Sequence, residues 1–156
     1  MVKQQIVIEQ LQPEYLDQAV ELHRTILPFD FSLETARQRY SDILNDPAHL
    51  VLCAREGEQV VGTVTLVRCK ALSGNFLVLE DFVVRPGLTG QGIGGRMMER
   101  VDRFAREMDC GYAILVSSAF RTDAHRFYRA HGFADEVMGF RKVYDQPACC
   151  REEEST

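Results

Sequence analysis

The stretch Val84-Arg85-Pro86-Gly87-Leu88-Thr89-Gly90-Gln91-Gly92-Ile93-Gly94-Gly95-Arg96 joins an apolar, strand-like run to an amphipathic, helical one through a glycine-rich junction. Backbone without Cβ atoms can turn several N–H groups toward one point and let a ligand approach the main chain closely. The helix that follows adds unpaired first-turn N–H groups and the positive end of its dipole. Such a junction is a site for an anion, phosphate above all.

Spacing sorts the readings of these glycines. Gly90, Gly92 and Gly95 satisfy G-x-G-x-x-G, which by itself is weak evidence for a dinucleotide fold. Arg85 to Thr89 separate the strand from the first glycine, and the next strand-like run, Ala113 to Val116, leads into Ser117-Ser118-Ala119-Phe120 without an acid for a ribose. A nucleotide-triphosphatase loop needs Gly-Lys-Ser/Thr, which is missing. A plain helix cap needs only one glycine.

The downstream segment Ala124-His125-Arg126-Phe127-Tyr128-Arg129-Ala130-His131-Gly132-Phe133 resolves the choice. The two segments together resemble the GNAT superfamily of acetyl-CoA-dependent N-acetyltransferases, over about Glu58 to Tyr144. The resemblance implies an α/β fold with a mixed, mostly antiparallel central sheet, helices on both faces, and a splay between the fourth and fifth strands beside the cofactor. It implies acetyl-CoA contacts from Phe82, Val83 and Val84, from Thr89, Gly90, Gln91, Gly92, Ile93, Gly94, Gly95 and Arg96 around the pyrophosphate, and from Ser118 and Phe127. A main-chain N–H near Phe82 and Val84 is expected to hold the thioester carbonyl. Two positions depart from the family pattern: Thr89 stands where Arg or Gln is usual, and Arg121 where many members have Asn.

Composition agrees with a compact enzyme. The chain has 156 residues, 46% hydrophobic and 26% charged, enough for one domain with a substantial core. We expect residues 1–145 to form that domain and 146–156 a polar tail. No apolar run approaches a membrane span and Met1-Val2-Lys3-Gln4-Gln5 has no signal-peptide core, so a cytoplasmic protein is expected. A net charge of −5 argues against general nucleic-acid binding. The five cysteines, Cys53, Cys69, Cys110, Cys149 and Cys150, have no metal-ligand spacing, and reduced thiols are expected.

Periodicity predicts the element order β-α-α-β-β-β-α-β-α-β. A strand spans Ile6 to Leu11, and Pro13 opens a helix with Leu16, Ala19, Val20, Leu22 and His23 near one face. Ser32 with Thr35 opens a second helix, stopped at Asn45-Asp46-Pro47. Leu50 to Arg55 and Gln59 to Val67 read as a hairpin, and Phe76 to Val84 as a strand covered on both faces. A helix covers Gly92 to Met108, then come a strand at Ala113 to Ser117, a helix at Asp123 to His131 and a last strand around Met138 to Tyr144.

Along Phe76 to Val84 alternation puts Phe76, Val78, Glu80, Phe82 and Val84 on one face and Asp81 on the other. Glu80 is then a carboxylate among apolar neighbours, suited to accept a proton from an ammonium nucleophile, directly or through water. The plainer reading pairs it with Arg68 or Arg141. The resemblance gives Tyr128 the role of proton donor to the leaving thiolate; otherwise it is a core tyrosine. Phe127 reads as packing, His125 and His131 as surface or capping residues.

The acceptor pocket of this family lies at the first two helices and their turn, here Leu27-Pro28-Phe29-Asp30-Phe31, so Phe29, Asp30 and Phe31 are the candidate substrate contacts. The resulting expectation is an N-acetyltransferase acting on a primary amine of a small molecule by direct attack, with a homodimer open. The form of the tyrosine helix resembles members that acetylate small amines, aminophosphonates among them. The alternative is a catalytically weak, coenzyme A-binding sensor or interaction module.

Overall fold

A computed structural model describes residues 4–27 and 30–144. Its sheet has the order β1-β2-β3-β4-β5, formed by β1 Ile6–Gln10, β2 His49–Glu56, β3 Gln59–Ala71, β4 Gly74–Val84 and β5 Cys110–Leu115. Neighbours run antiparallel except β4 and β5, which are parallel. Parallel strands need a crossover, and the helix α3, Ile93–Glu107, supplies it. A single 3₁₀ turn at Pro13–Tyr15 leads into α1, Leu16–His23; α2 is Leu33–Leu44 and α4 is Thr122–Ala130. The mixed sheet with helices on both faces is the expected architecture.

Each helix forms for a legible reason. Ser32 caps α2, its hydroxyl accepting from the Thr35 amide at 3.0 Å. In α3 the spacing of Ile93, Met97, Val101 and Phe104 makes one buried stripe. Gly132 takes φ +95° just after α4 and ends it.

The sheet separates two apolar clusters, because alternate residues of a strand face opposite sides. Leu52 and Ala54 of β2 and Val64 and Leu66 of β3 pack with α3 and with Tyr128 of α4. Val51, Cys53 and Val60 pack with α1 and α2 on the other face. Truncating a fully buried side chain such as Leu52 costs about 2–5 kcal/mol in cores of this kind.

Strand β4 breaks the alternation. Its register to β3 runs Thr65↔Glu80 and then Thr63↔Val83, so Val64 opposes both Asp81 and Phe82. This is a β-bulge, and Asp81 takes the left-handed φ of +54° that Asp adopts more readily than most residues. Before the bulge Leu77 and Leu79 face α3; after it Phe82 and Val84 do, while Val83 joins the α1–α2 cluster.

Three sequence expectations are corrected. Glu80 and Phe82 do not share a face, because the bulge inserts one residue between them. Strand β5 lies at Cys110–Leu115 rather than 113–117, since pairing begins at Asn75↔Cys110 and stops at Leu79↔Leu115. Met138 to Tyr144 forms no strand among the described residues, and Met138, Phe140 and Tyr144 are exposed. The composition there suits a strand, but a ladder partner decides, and among the described residues β5 pairs only with β4.

Candidate active site

The site is built on the end of β4. The β4–β5 ladder closes at Leu79↔Leu115, while β4 continues from Glu80 to Val84. Over those residues the edge of β4 that faced β5 has main-chain groups with no strand partner, and the bulge lies within it. The expected splay is this parting of the two strands.

On the α3 side, β4 runs into the glycine loop. Gly92 caps α3 at φ +82°, with open space around the position a Cβ would take. The first intrahelical bond runs from the Arg96 amide to the Gly92 carbonyl, so the Ile93, Gly94 and Gly95 amides precede it, with no side-chain cap and no acid in the first turn. Uncapped amides at the positive end of a helix dipole suit an anion. Thr89, Gly90, Gln91, Gly92 and Arg96 are exposed around them. Ile93 is 3% exposed, so its side chain belongs to the core and its N–H is what it offers.

Gly94 and Gly95 serve packing as well. A Cβ on Gly94 would lie 2.9 Å from the Phe127 ring, and one on Gly95 would lie 3.3 Å from His131 Cε1. Helix α4 thus rests on the first turn of α3, and Phe127 is a packing residue at that contact. Phe127 also meets Phe82 at 5.5 Å between ring centroids.

Tyr128 stands in the same aromatic group, edge-on to Phe82 at 6.2 Å and to Phe133 at 6.1 Å. Burial raises its pKa above the ordinary phenol value, and the charge of Arg121 opposes the rise. Its hydroxyl has no partner among the described residues, and it is not among the sealed, unpartnered polar atoms. A neutral phenol with an open hydroxyl is equipped to give a proton. Arg121, a departure from the family pattern, is the N-cap of α4, and its charge favours the ionised form of the Tyr128 phenol. Ser118 is exposed, its carbonyl accepting from the Arg121 amide and lying 2.9 Å from His125 Nε2.

The opposite face carries the acids. Glu80 pairs with Thr65 on the α1–α2 side and is exposed, yet partial burial of its carboxyl and then the Asp81 charge raise its pKa, with Arg141 opposing. Asp81 sits in the bulge beside it. His23, at the end of α1, places Nε2 3.0 Å from Thr63 Oγ1. Thr63 is fully buried, the one polar side chain in the core among the described residues. The sequence places His23 only on the apolar face of the first helix, and Thr63 carries no motif. The available signal was a threonine inside the run Val60-Val61-Gly62-Thr63-Val64.

Of the proposed acceptor contacts, Phe29 lies outside the described residues. Asp30 Oδ1 accepts from Arg24 Nε at 2.8 Å and from the Phe31 amide at 2.8 Å, and Phe31 packs against the α1–α2 cluster. Asp30 therefore fixes its own loop, and its pKa is lowered by that hydrogen bond from Arg24. Cys149 and Cys150 lie outside the described residues; Cys53 is buried, its thiol pushed up to about 12 by burial. Among the described residues no helix is long and apolar enough to cross a membrane, and no His, Cys, Asp and Glu group is arranged to hold a metal ion.

The acetyltransferase (GNAT) family model matches residues 16–133. An aminoalkylphosphonate N-acetyltransferase of Salmonella typhimurium is 29% identical over 133 residues, covering 83% of this chain and 86% of that protein. A glucosamine-6-phosphate N-acetyltransferase from Arabidopsis thaliana superposes with a TM-score of 0.79 at 19% identity, over 91% of this chain and 100% of that one. An aminoglycoside N-acetyltransferase solved in complex with CoA has a TM-score of 0.76 at 18% identity, over 88% and 95% of the two chains. At these identities the structural likenesses speak for the fold.

Proposed function

The chain belongs to the acetyltransferase (GNAT) family, and from that premise we propose that it moves the acetyl group of acetyl-CoA to the primary amine of a small molecule by direct attack. The observation that carries this reading is the parting of β4 from β5 directly beside the uncapped first turn of α3. A phosphate-bearing thioester fits there: amides for its phosphates at one end, unpaired β4 main chain for its polar arm at the other. Acetyl-CoA supplies the activated acyl group.

In this reading Thr89, Gly90, Gln91, Gly92, Ile93, Gly94, Gly95 and Arg96 surround the pyrophosphate. The main chain of Phe82, Val83 and Val84 lines the arm, with Ser118 and Phe127 at its sides. Tyr128 donates a proton to the departing sulfur, and Glu80 takes one from the amine. Tyr128 stands on the α3–α4 face and Glu80 on the α1–α2 face, which suits a donor held on the α3–α4 side and an acceptor entering from the α1–α2 side. The Phe29-Asp30-Phe31 turn borders the acceptor, with Asp30 shaping the loop through Arg24. The 29% identical relative makes aminoalkylphosphonates the first amines to try. We further propose one domain over 1–145 with a polar tail, a cytoplasmic address and no nucleic-acid partner; a homodimer is compatible.

The departures at Thr89 and Arg121 favour the second reading, a coenzyme A-binding sensor or interaction module. Amine-dependent thiol release from acetyl-CoA supports the enzyme; binding without release supports the sensor.

A further inference from the structure

We propose that His23 is a second proton acceptor of the amine site, oriented by Thr63 and supported by the charge of Asp81; this rests on the acetyltransferase reading above. An amine enters as an ammonium ion and leaves as an amide. Its nitrogen gives up two protons while one N–C bond forms and one C–S bond breaks. One proton's equivalent ends on sulfur and one in water. Glu80 takes the first, freeing the lone pair, and His23 takes the second. Tyr128, having protonated the sulfur, is reprotonated from water, and Glu80 and His23 release their protons to water.

The geometry supports the assignment in three ways. Thr63 is fully buried, where a valine of the same shape would pack without the desolvation cost of a hydroxyl; its hydroxyl instead meets His23 Nε2 at 3.0 Å. With Nε2–H donated to Thr63, the lone pair stands on Nδ1. Thr63 pairs with Val83, immediately past the bulge that holds Asp81 at φ +54°, so imidazole and carboxylate flank one segment of β4. His23 is only partly buried, which leaves it a path to solvent.

The charges around His23 agree. Burial keeps its pKa below the ordinary 6.5, and the Asp81 carboxylate opposes that lowering. The ring is therefore neutral at rest, and its protonated form has a counter-charge. Glu80 is the second acid of β4. Arg24, the C-cap of α1 beside His23, is paired with Glu21 and Asp30. Tyr40 of α2 and Cys53 of β2, in the same cluster, have pKa values raised by burial and stay neutral.

The test joins two measurements. In the ligand-free protein, NMR titration of the His23 ring should give a midpoint below 6.5, moving lower still in Asp81→Asn, which keeps the left-handed backbone. In kinetics, His23→Gln should lower kcat/KM about 10- to 100-fold and remove one limb of its pH profile, in line with acid–base catalysis, with the acetyl-CoA melting shift retained. Thr63→Val should retain that shift and change the same limb more weakly. A His23 midpoint indifferent to Asp81→Asn overturns the proposal, as does an unaltered pH profile in His23→Gln. A wild-type protein that acetylates no amine overturns the functional reading with it; a working wild type with an unaltered His23→Gln overturns this proposal alone.

Discussion

Tyr128 and Glu80 owe their raised pKa values to environment, and the role proposed for each makes a separable prediction. Tyr128→Phe should keep acetyl-CoA binding and lower kcat roughly 10- to 1,000-fold, as loss of a general acid does; stopped turnover against the melting shift checks it, and an unchanged kcat would make Tyr128 a packing residue. The Glu80 carboxyl is raised above its ordinary value by burial and Asp81. By linkage its stabilising contribution is present in the protonated form and lost as pH rises through the raised value. Glu80→Gln should therefore melt no lower than wild type at pH 7, and slightly higher, while losing the acid limb of kcat/KM. For His23 the sign is opposite, because its folded pKa lies below 6.5: its contribution is present above 6.5 and lost as pH falls through the folded value. A urea series across mildly acidic pH, compared with His23→Gln, measures it. Tyr128 was legible in the sequence because it stands in a motif, and Glu80 because an acid interrupts the apolar run of β4. The sequence did not show His23 with Thr63, a pair 40 residues apart joined only by folding.

At the scale of elements, the glycine loop divides into two jobs that the sequence presents as one. Gly92 is needed for its left-handed backbone, with nothing near a Cβ. Gly92→Ala should cost about 1–2 kcal/mol of strain and weaken the acetyl-CoA melting shift by turning the amides. Gly94 is needed because Phe127 lies against it. Gly94→Ala should cost about 1–3 kcal/mol as overpacking does, and Phe127→Leu should recover part of it, which denaturation of the double variant measures. Equal effects of the two alanines on ligand binding and packing would contradict the division. The helices and the β2–β3 hairpin were readable because their periodicity and caps are local. The bulge at Asp81 was not, since a register shift belongs to a pair of strands; the one local hint was an aspartate inside an apolar strand. The last expected strand failed for the same reason, its composition having no ladder to join.

At the scale of the whole molecule, the sheet is a partition. One cluster holds α3 and α4 and the other α1 and α2, with β2, β3 and the end of β4 giving side chains to both. A ligand that binds only the folded chain stabilises it by mass action, about 2.7 kcal/mol at a hundred times Kd, so acetyl-CoA should raise the melting temperature. The central claim is transfer across the partition from acetyl-CoA to an amine. The most direct measurement incubates the protein with acetyl-CoA and a panel of amines, aminoalkylphosphonates first, and follows free coenzyme A and acetylated amine together by mass spectrometry. Coenzyme A release should depend on the amine and match the amide formed one for one. Acetyl-CoA binding with no amide formed from any amine of the panel would contradict it.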